Sequence, residues 1–241
     1  MSEESSNSEE LRERIARVRR RIEACALRAG RDPSEIKLVA VSKTHPAETL
    51  LMAIEAGVTD LGENKIQEAD TKIRKVGRDA ARWHLIGHLQ ANKAKRAVAL
   101  FDLIHSLDSA QLALRLNRIC VEVGRDTLPV LIQVDLGGEE TKSGASESEL
   151  PEIISAISDC QHLRLTGLMT LPPFFEEVEQ VRPYFRRLCQ LRDELNSRGV
   201  FGSTSGELSM GMSHDYEVAI EEGATIVRVG TAIFGERQRI V

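Results

Sequence analysis

The residues of this chain best suited to chemistry come in short clusters, each at the end of an apolar run. The first is Ser42-Lys43-Thr44-His45, directly after a run of aliphatic residues at 36–41. Partial desolvation at such a strand end favours the neutral amine that attacks a carbonyl carbon, although a lysine there also has the simpler option of reaching solvent. Two more clusters lie late in the chain: Leu208-Ser209-Met210-Gly211-Met212-Ser213, and Arg228-Val229-Gly230-Thr231 followed by Ala232-Ile233-Phe234-Gly235. Both join hydroxyls to small residues with accessible backbone N–H groups, a composition that suits a phosphate cradle and equally suits tight turns. Arg228 stands between valines, and an inward-pointing arginine there needs an acceptor, because an unpaired buried charge is very costly. A bound cofactor is one such acceptor.

Other residues carry weaker signals. His84 and His88 are four apart, and His105 ends a further apolar run. No carboxylate cluster or H-E-x-x-H pattern accompanies them, so they read as polar residues at the rim of the fold rather than as metal ligands. Gly202-Ser203-Thr204-Ser205-Gly206 has the outline of a nucleophile elbow, but its centre is threonine and no helix follows directly, which argues against a serine hydrolase. Cys25, Cys120, Cys160 and Cys189 are widely spaced without a C-x-x-C pair and read as reduced, buried thiols of a cytoplasmic protein.

Positioning these clusters takes a repeating frame. The chain has 241 residues, 41% of them hydrophobic and 29% charged, enough for a real core and unlike a disordered or disulfide-held polypeptide. With 37 acidic against 32 basic residues and a formal charge of −5, nothing points to nucleic acid as a partner. The acidic, polar start MSEESSNSEE resembles neither a secretory signal nor a transit peptide, and no apolar run is long enough for a membrane span.

Leu11, Ile15, Val18, Ile22, Cys25 and Ala29 recur at helical spacing, with Gly30 placed to end that helix. Strand-like runs then follow at 36–41, 58–61, 83–86, 103–105, 128–134, 163–169, somewhere between 201 and 208, and at 225–229. Helical stretches separate them. Eight strands and seven helices predict an α/β protein with a closed (β/α)8 TIM barrel, a doubly wound open sheet being the alternative. The expected organisation is one domain over 1–241, with the N-terminal helix of 1–30 covering the gap between the first and last strands. Such barrels carry their chemistry at the carboxyl ends of the strands, where Lys43, Ser209 and Arg228 fall.

Taken in register with Val39-Ala40-Val41, Gly62-Glu63-Asn64, His84-Leu85-Ile86-Gly87-His88-Leu89-Gln90 and Lys142-Ser143-Gly144, these clusters resemble the pyridoxal phosphate homeostasis protein family. That family is similar to the barrel domain of alanine racemase, the fold type III proteins. The resemblance implies a protein that binds pyridoxal 5′-phosphate and buffers it in the cell without known turnover. By motif, Lys43 would form a Schiff base with the cofactor aldehyde. Ser209, Gly230 and Thr231 would hold the phosphate, Arg228 would face the pyridine nitrogen, and Asn64 would lie near the ring. An arginine partner stays protonated, so the ring nitrogen stays neutral and the electron sink is weakened, which suits storage better than carbanion chemistry.

Two positions depart from the family pattern. Lys65 stands where an aromatic often follows Gly-Glu-Asn, and His214 replaces a frequent acidic residue, a change expected to alter only the cap of the next helix. The competing reading is an amino-acid racemase. It needs a second acid/base group, usually a tyrosine from a further domain, whereas Tyr184 and Tyr216 both fall in predicted helices. Implied partners are the small-molecule cofactor and apo-enzymes that receive it, with the chain a monomer or a weak dimer.

Overall fold

A computed structural model describes residues 3–138 and 143–235; Lys142 of the Lys142-Ser143-Gly144 cluster lies outside the described residues. The chain opens with α1 (Glu3–Arg28), then β1 (Lys37–Val41), α2 (Ala47–Glu55), β2 (Asp60–Glu63), α3 (Ile66–Val76) and β3 (Arg82–Leu85). It continues through α4 (Ala94–Leu100), β4 (Leu103–Leu107), α5 (Ala110–Val123), β5 (Leu128–Gln133), α6 (Leu150–Ser158) and β6 (Leu163–Met169). Last come α7 (Arg182–Ser197), β7 (Glu207–Ser209), α8 (Tyr216–Glu221), β8 (Ile226–Val229) and the short α9 (Thr231–Phe234).

Each strand pairs in parallel with the next, and β8 returns to β1 with Val39 opposite Arg228 and Ala40 opposite Val229, closing an eight-stranded barrel. The reason is the strand composition: aliphatic residues on both faces demand cover inside and outside. Side chains alternate along each strand. In β8 Val227 and Val229 face the helices, whereas Ile226 joins Val39, Leu103, Leu131 and Met169 in a small interior cluster. Arg228 shares the inward parity of Ile226.

The long α1 supplies cover where β8 meets β1. Leu11, Ile15, Val18, Ile22, Cys25 and Ala26 are buried along one face. From within α1 Arg19 reaches Gly57 O (2.6 Å) after α2, while just past the carboxyl end of α1 Arg31 reaches Ile220 O and Ala224 O (2.8 and 2.7 Å) around α8. The helix thus spans the seam. No described helix is long and apolar enough to cross a membrane.

Two strands sit later than their apolar runs suggest. Val58 is buried, but its N–H donates to Ala53 O (3.0 Å) at the end of α2, so pairing begins only at Asp60. In the 201–208 segment, Gly202 N donates to Gly199 O and Thr204 N to Phe201 O, and those turn bonds delay β7 to Glu207. The 91–99 stretch starts as a 3₁₀ turn before α4.

Candidate functional site

A cavity of about 310 Å³ lies at the carboxyl ends of the strands, lined among others by Lys43, Asn64, Ser213, Arg228, Gly230 and Thr231. Five of these are residues that the sequence singled out. A larger cavity, about 1440 Å³, opens at the amino-terminal end of the barrel, where Lys37 is paired with Glu207 and Arg82 with Asp60. The smaller one gathers those residues that the sequence singled out.

Lys43 stands in a turn held by a buried ionic cluster. Thr44 adopts a left-handed conformation (φ +70°), uncommon for a residue with a Cβ, and its N–H donates to the Glu68 carboxylate. Lys72 donates to Ser42 O (2.6 Å), Glu63 Oε1 (2.6 Å) and Glu68 Oε1 (2.7 Å), and Ser42 Oγ donates to Glu63 Oε1 (2.7 Å). Burial pushes the Glu63 carboxyl up, against the pull of the Lys72 charge. Burial acts the same way on Glu68, but its hydrogen bonds from Lys72 and Thr44 outweigh it and leave the carboxyl below its ordinary value. This cluster was not picked out from sequence, though Glu68 and Lys72 stand at the i,i+4 spacing of a helical ion pair. The turn also packs on α9, where the His45 and Phe234 rings lie 4.9 Å apart.

Asn64 enters from the other side. Its Oδ1 is buried with no hydrogen-bond partner among the described residues. Its backbone is pressed against Gly87, where an added Cβ would come within 2.4 Å of Asn64 O, so only glycine lets the two segments approach.

Opposite Lys43 the loop after β7 meets the turn after β8. Ser213 Oγ accepts from Gly230 N–H (3.1 Å) and Ala232 N–H (3.3 Å), so two backbone donors converge on one oxygen. Asp215 accepts from Met212 N–H (2.6 Å) and fixes that loop, while burial pushes its carboxyl up. Ser209, expected at the phosphate, does not line this cavity: it is fully buried inside the barrel, hydrogen-bonded to Arg228 and His105. Ser213 is the hydroxyl beside Gly230. His214, expected to affect only a helix cap, lines the cavity, and its ring lies 5.3 Å from that of the exposed Phe174.

Arg228 is 2% exposed, and burial pushes its guanidinium down to about 10 against the opposing charge of Asp215. It therefore stays protonated at neutral pH. The acceptors it needs are supplied by the protein: Ser209 Oγ (2.6 Å) and Thr170 O (2.9 Å). The rim reading of the histidines is corrected as well. Their strand parity turns His84 and His105 into the barrel, where His84 Nδ1 and His105 Nε2 are 2.9 Å apart, and His88 instead meets Asp108.

A family model for the N-terminal domain of alanine racemase matches residues 8–238. Two curated relatives carry the name pyridoxal phosphate homeostasis protein. That of Aquifex aeolicus is 44% identical over 94% of this chain and 98% of its own length, and that of Escherichia coli K12 is 43% identical over 92% and 95%. PipY of Synechococcus elongatus PCC7942, solved with PLP bound, is 37% identical and superposes with a TM-score of 0.80 over 93% of this chain and all of its own. An expected family resemblance, a barrel closed around Arg228 and near-complete coverage of these relatives all agree. The chain belongs to the pyridoxal phosphate homeostasis protein family, within the larger group defined by the alanine racemase N-terminal domain.

Proposed function

We propose that this chain binds pyridoxal 5′-phosphate in the 310 Å³ cavity and serves to hold the cofactor rather than to turn over a substrate. One observation carries the reading: Lys43, the amide of Asn64 with an oxygen unsatisfied among the described residues, the buried guanidinium of Arg228, and Ser213, Gly230 and Thr231 all line a single cavity. The cofactor has four matching handles, an aldehyde, a phenolic oxygen, a ring nitrogen and a phosphate. The residues present fit it. When bound, it supplies an aldehyde carbon open to attack by an amine with loss of water.

Each residue then has a task. Lys43 is the amine that anchors the cofactor. Gly230, Thr231 and Ser213 hold its phosphate, in place of the Ser209 assignment, and Asn64 lies beside its ring. Arg228 faces the ring nitrogen and, because it keeps its own protons, offers none to it. Tyr184 and Tyr216 do not line the cavity, so neither supplies the second acid/base group of a racemase. The wider reading is a single-domain cytoplasmic reservoir, monomeric or weakly dimeric, that passes the cofactor to apo-enzymes.

Borohydride reduction of the protein with pyridoxal phosphate, followed by peptide mapping, tests the anchor. The expected result is one reduced adduct, on Lys43. An adduct elsewhere, or none, overturns the assignment. Turnover of L-amino acids that disappears in Lys43→Ala would overturn the non-catalytic reading.

A further inference from the structure

The barrel interior holds a line of polar side chains of which the cofactor reading uses only one end. Arg82 donates to Asp60 Oδ2 (2.8 Å), and Asp60 Oδ1 lies 2.9 Å from His84 Nε2. His84 Nδ1 lies 2.9 Å from His105 Nε2, and His105 Nδ1 lies 2.8 Å from Ser209 Oγ, the oxygen to which Arg228 donates at 2.6 Å. All but Arg82 are buried. Asp60, Arg82 and His84 line the large cavity at the amino-terminal end of the barrel, and Arg228 lines the cofactor cavity at the other. The line therefore crosses the barrel from face to face.

Each hydrogen in this line is dictated by its neighbours. Burial alone would raise the Asp60 carboxyl, but hydrogen bonds from His84, Arg82 and Thr59 outweigh it and keep Asp60 ionised, an acceptor only. His84 must then carry a hydrogen on Nε2. Burial, with the Arg228 charge beyond it, keeps His105 neutral, so it owns a single N–H. Placed on Nε2, that hydrogen goes to His84 Nδ1, Ser209 Oγ–H goes to His105 Nδ1, and the Ser209 lone pairs remain for Arg228. Every hydrogen then has an acceptor.

The opposite placement fails. With the hydrogen on Nδ1, Ser209 Oγ would receive both His105 and Arg228, and its own hydrogen would find no partner among the described residues. The pairing of His84 with His105 would also require a second proton on His84, an imidazolium enclosed in the barrel. Buried polar networks are stable only when every member is satisfied.

We propose that Asp60, His84, His105 and Ser209 form a directed hydrogen-bond relay that holds Arg228 in its cavity-facing position, which makes them positioning residues for the cofactor ring. Its role toward the ring rests on the cofactor reading above; the relay itself does not. With its hydrogen committed to His105, Ser209 cannot turn it toward the guanidinium. Arg228 is thus held by two acceptors, Ser209 Oγ and Thr170 O.

Two measurements decide the matter. Long-range proton–nitrogen NMR of the full, cofactor-free chain labelled on histidine reads the tautomers at neutral pH. Both His84 and His105 are expected neutral with hydrogen on Nε2, and an imidazolium or an Nδ1–H form at either overturns the relay. The second measurement is pyridoxal phosphate affinity together with the visible absorbance of the bound cofactor in Asp60→Asn and His105→Leu. Glu207→Gln, which breaks the Lys37 pair at the same end of the barrel, is the control.

Loss of the relay is expected to weaken binding about tenfold and to shift the visible band, while the control stays within about twofold. Wild-type affinity and an unshifted band in His105→Leu overturn the positioning role. If that variant does not fold, the tautomers of the intact chain still decide the relay. Correct tautomers in a wild-type chain that takes up no cofactor would sink the cofactor reading and leave the relay standing.

Discussion

Lys72 Nζ, on α3, lies 2.6 Å from the carbonyl oxygen of Ser42, the residue immediately before the candidate anchor. The turn that presents Lys43 is thus gripped from the layer between barrel and helices. Lys72→Met would leave Glu63 buried without its cation and free Ser42 O. The expected cost is about 3 kcal/mol in urea unfolding, partly recovered by adding Glu63→Gln. A single variant as stable as wild type would contradict the cluster's role.

Ser213→Ala removes the oxygen on which the Gly230 and Ala232 N–H groups converge. Loss of one hydrogen-bonding hydroxyl at the phosphate is expected to weaken pyridoxal phosphate binding about tenfold. Affinity for pyridoxal, which lacks the phosphate, should hardly change. Equal losses for the two ligands would place Ser213 away from the phosphate. Arg228→Gln is expected to affect both ligands alike and to weaken retention less than disruption of the Gly230-Thr231 turn.

Stability should respond to pH through His105, whose proton affinity burial pushes well below the ordinary value of 6.5. Below that value the unfolded chain takes up a proton that the folded chain refuses, so stability falls toward acid by up to about 1.4 kcal/mol per pH unit. Asp60 acts in the same direction at lower pH: its contribution is present above the ordinary carboxylate value and is lost as pH falls through the depressed folded value. Glu63 opposes both, since its raised carboxyl favours the folded state in acid and loses that contribution as pH rises through the folded value. Comparing wild type with His105→Leu isolates the histidine. Wild-type stability should drop relative to the variant on going below pH 6.5, and a constant difference would contradict a neutral buried His105.

Gly87→Ala would drive a methyl group into the Asn64 backbone. The expected result is a folded but destabilised protein, by about 1–3 kcal/mol, in which Asn64 is displaced and cofactor affinity falls. Unchanged affinity at reduced stability would show that Asn64 plays no part in binding.

The eight βα repeats were legible because strands covered on both faces are nearly pure aliphatic runs, and glycines mark the helix ends. Lys43, Arg228 and Gly230 were legible for a related reason, since polar or flexible residues at strand ends stand out against such runs. Ser209 shows the limit. It and Ser213 lie in one short cluster with the same chemistry, and only strand parity shows that the first turns into the barrel while the second stands beside Gly230. His84 and His105 are far apart in sequence, so nothing local announces that β3 and β4 bring them face to face. The departure at His214 was legible as a position but not as a contact, because its ring partner Phe174 comes from the loop after β6.

The pairing of Val39 with Arg228 has a consequence for closure of the barrel. The amine lies just past the first strand and the guanidinium on the last, with the whole barrel between them in the chain. Contacts so remote in sequence repay their loop-closure entropy only once the chain between them is ordered, which slows closure of the barrel. A chain still lacking β8 has Lys43 but not Arg228, so retention of the ligand would report that the barrel has closed.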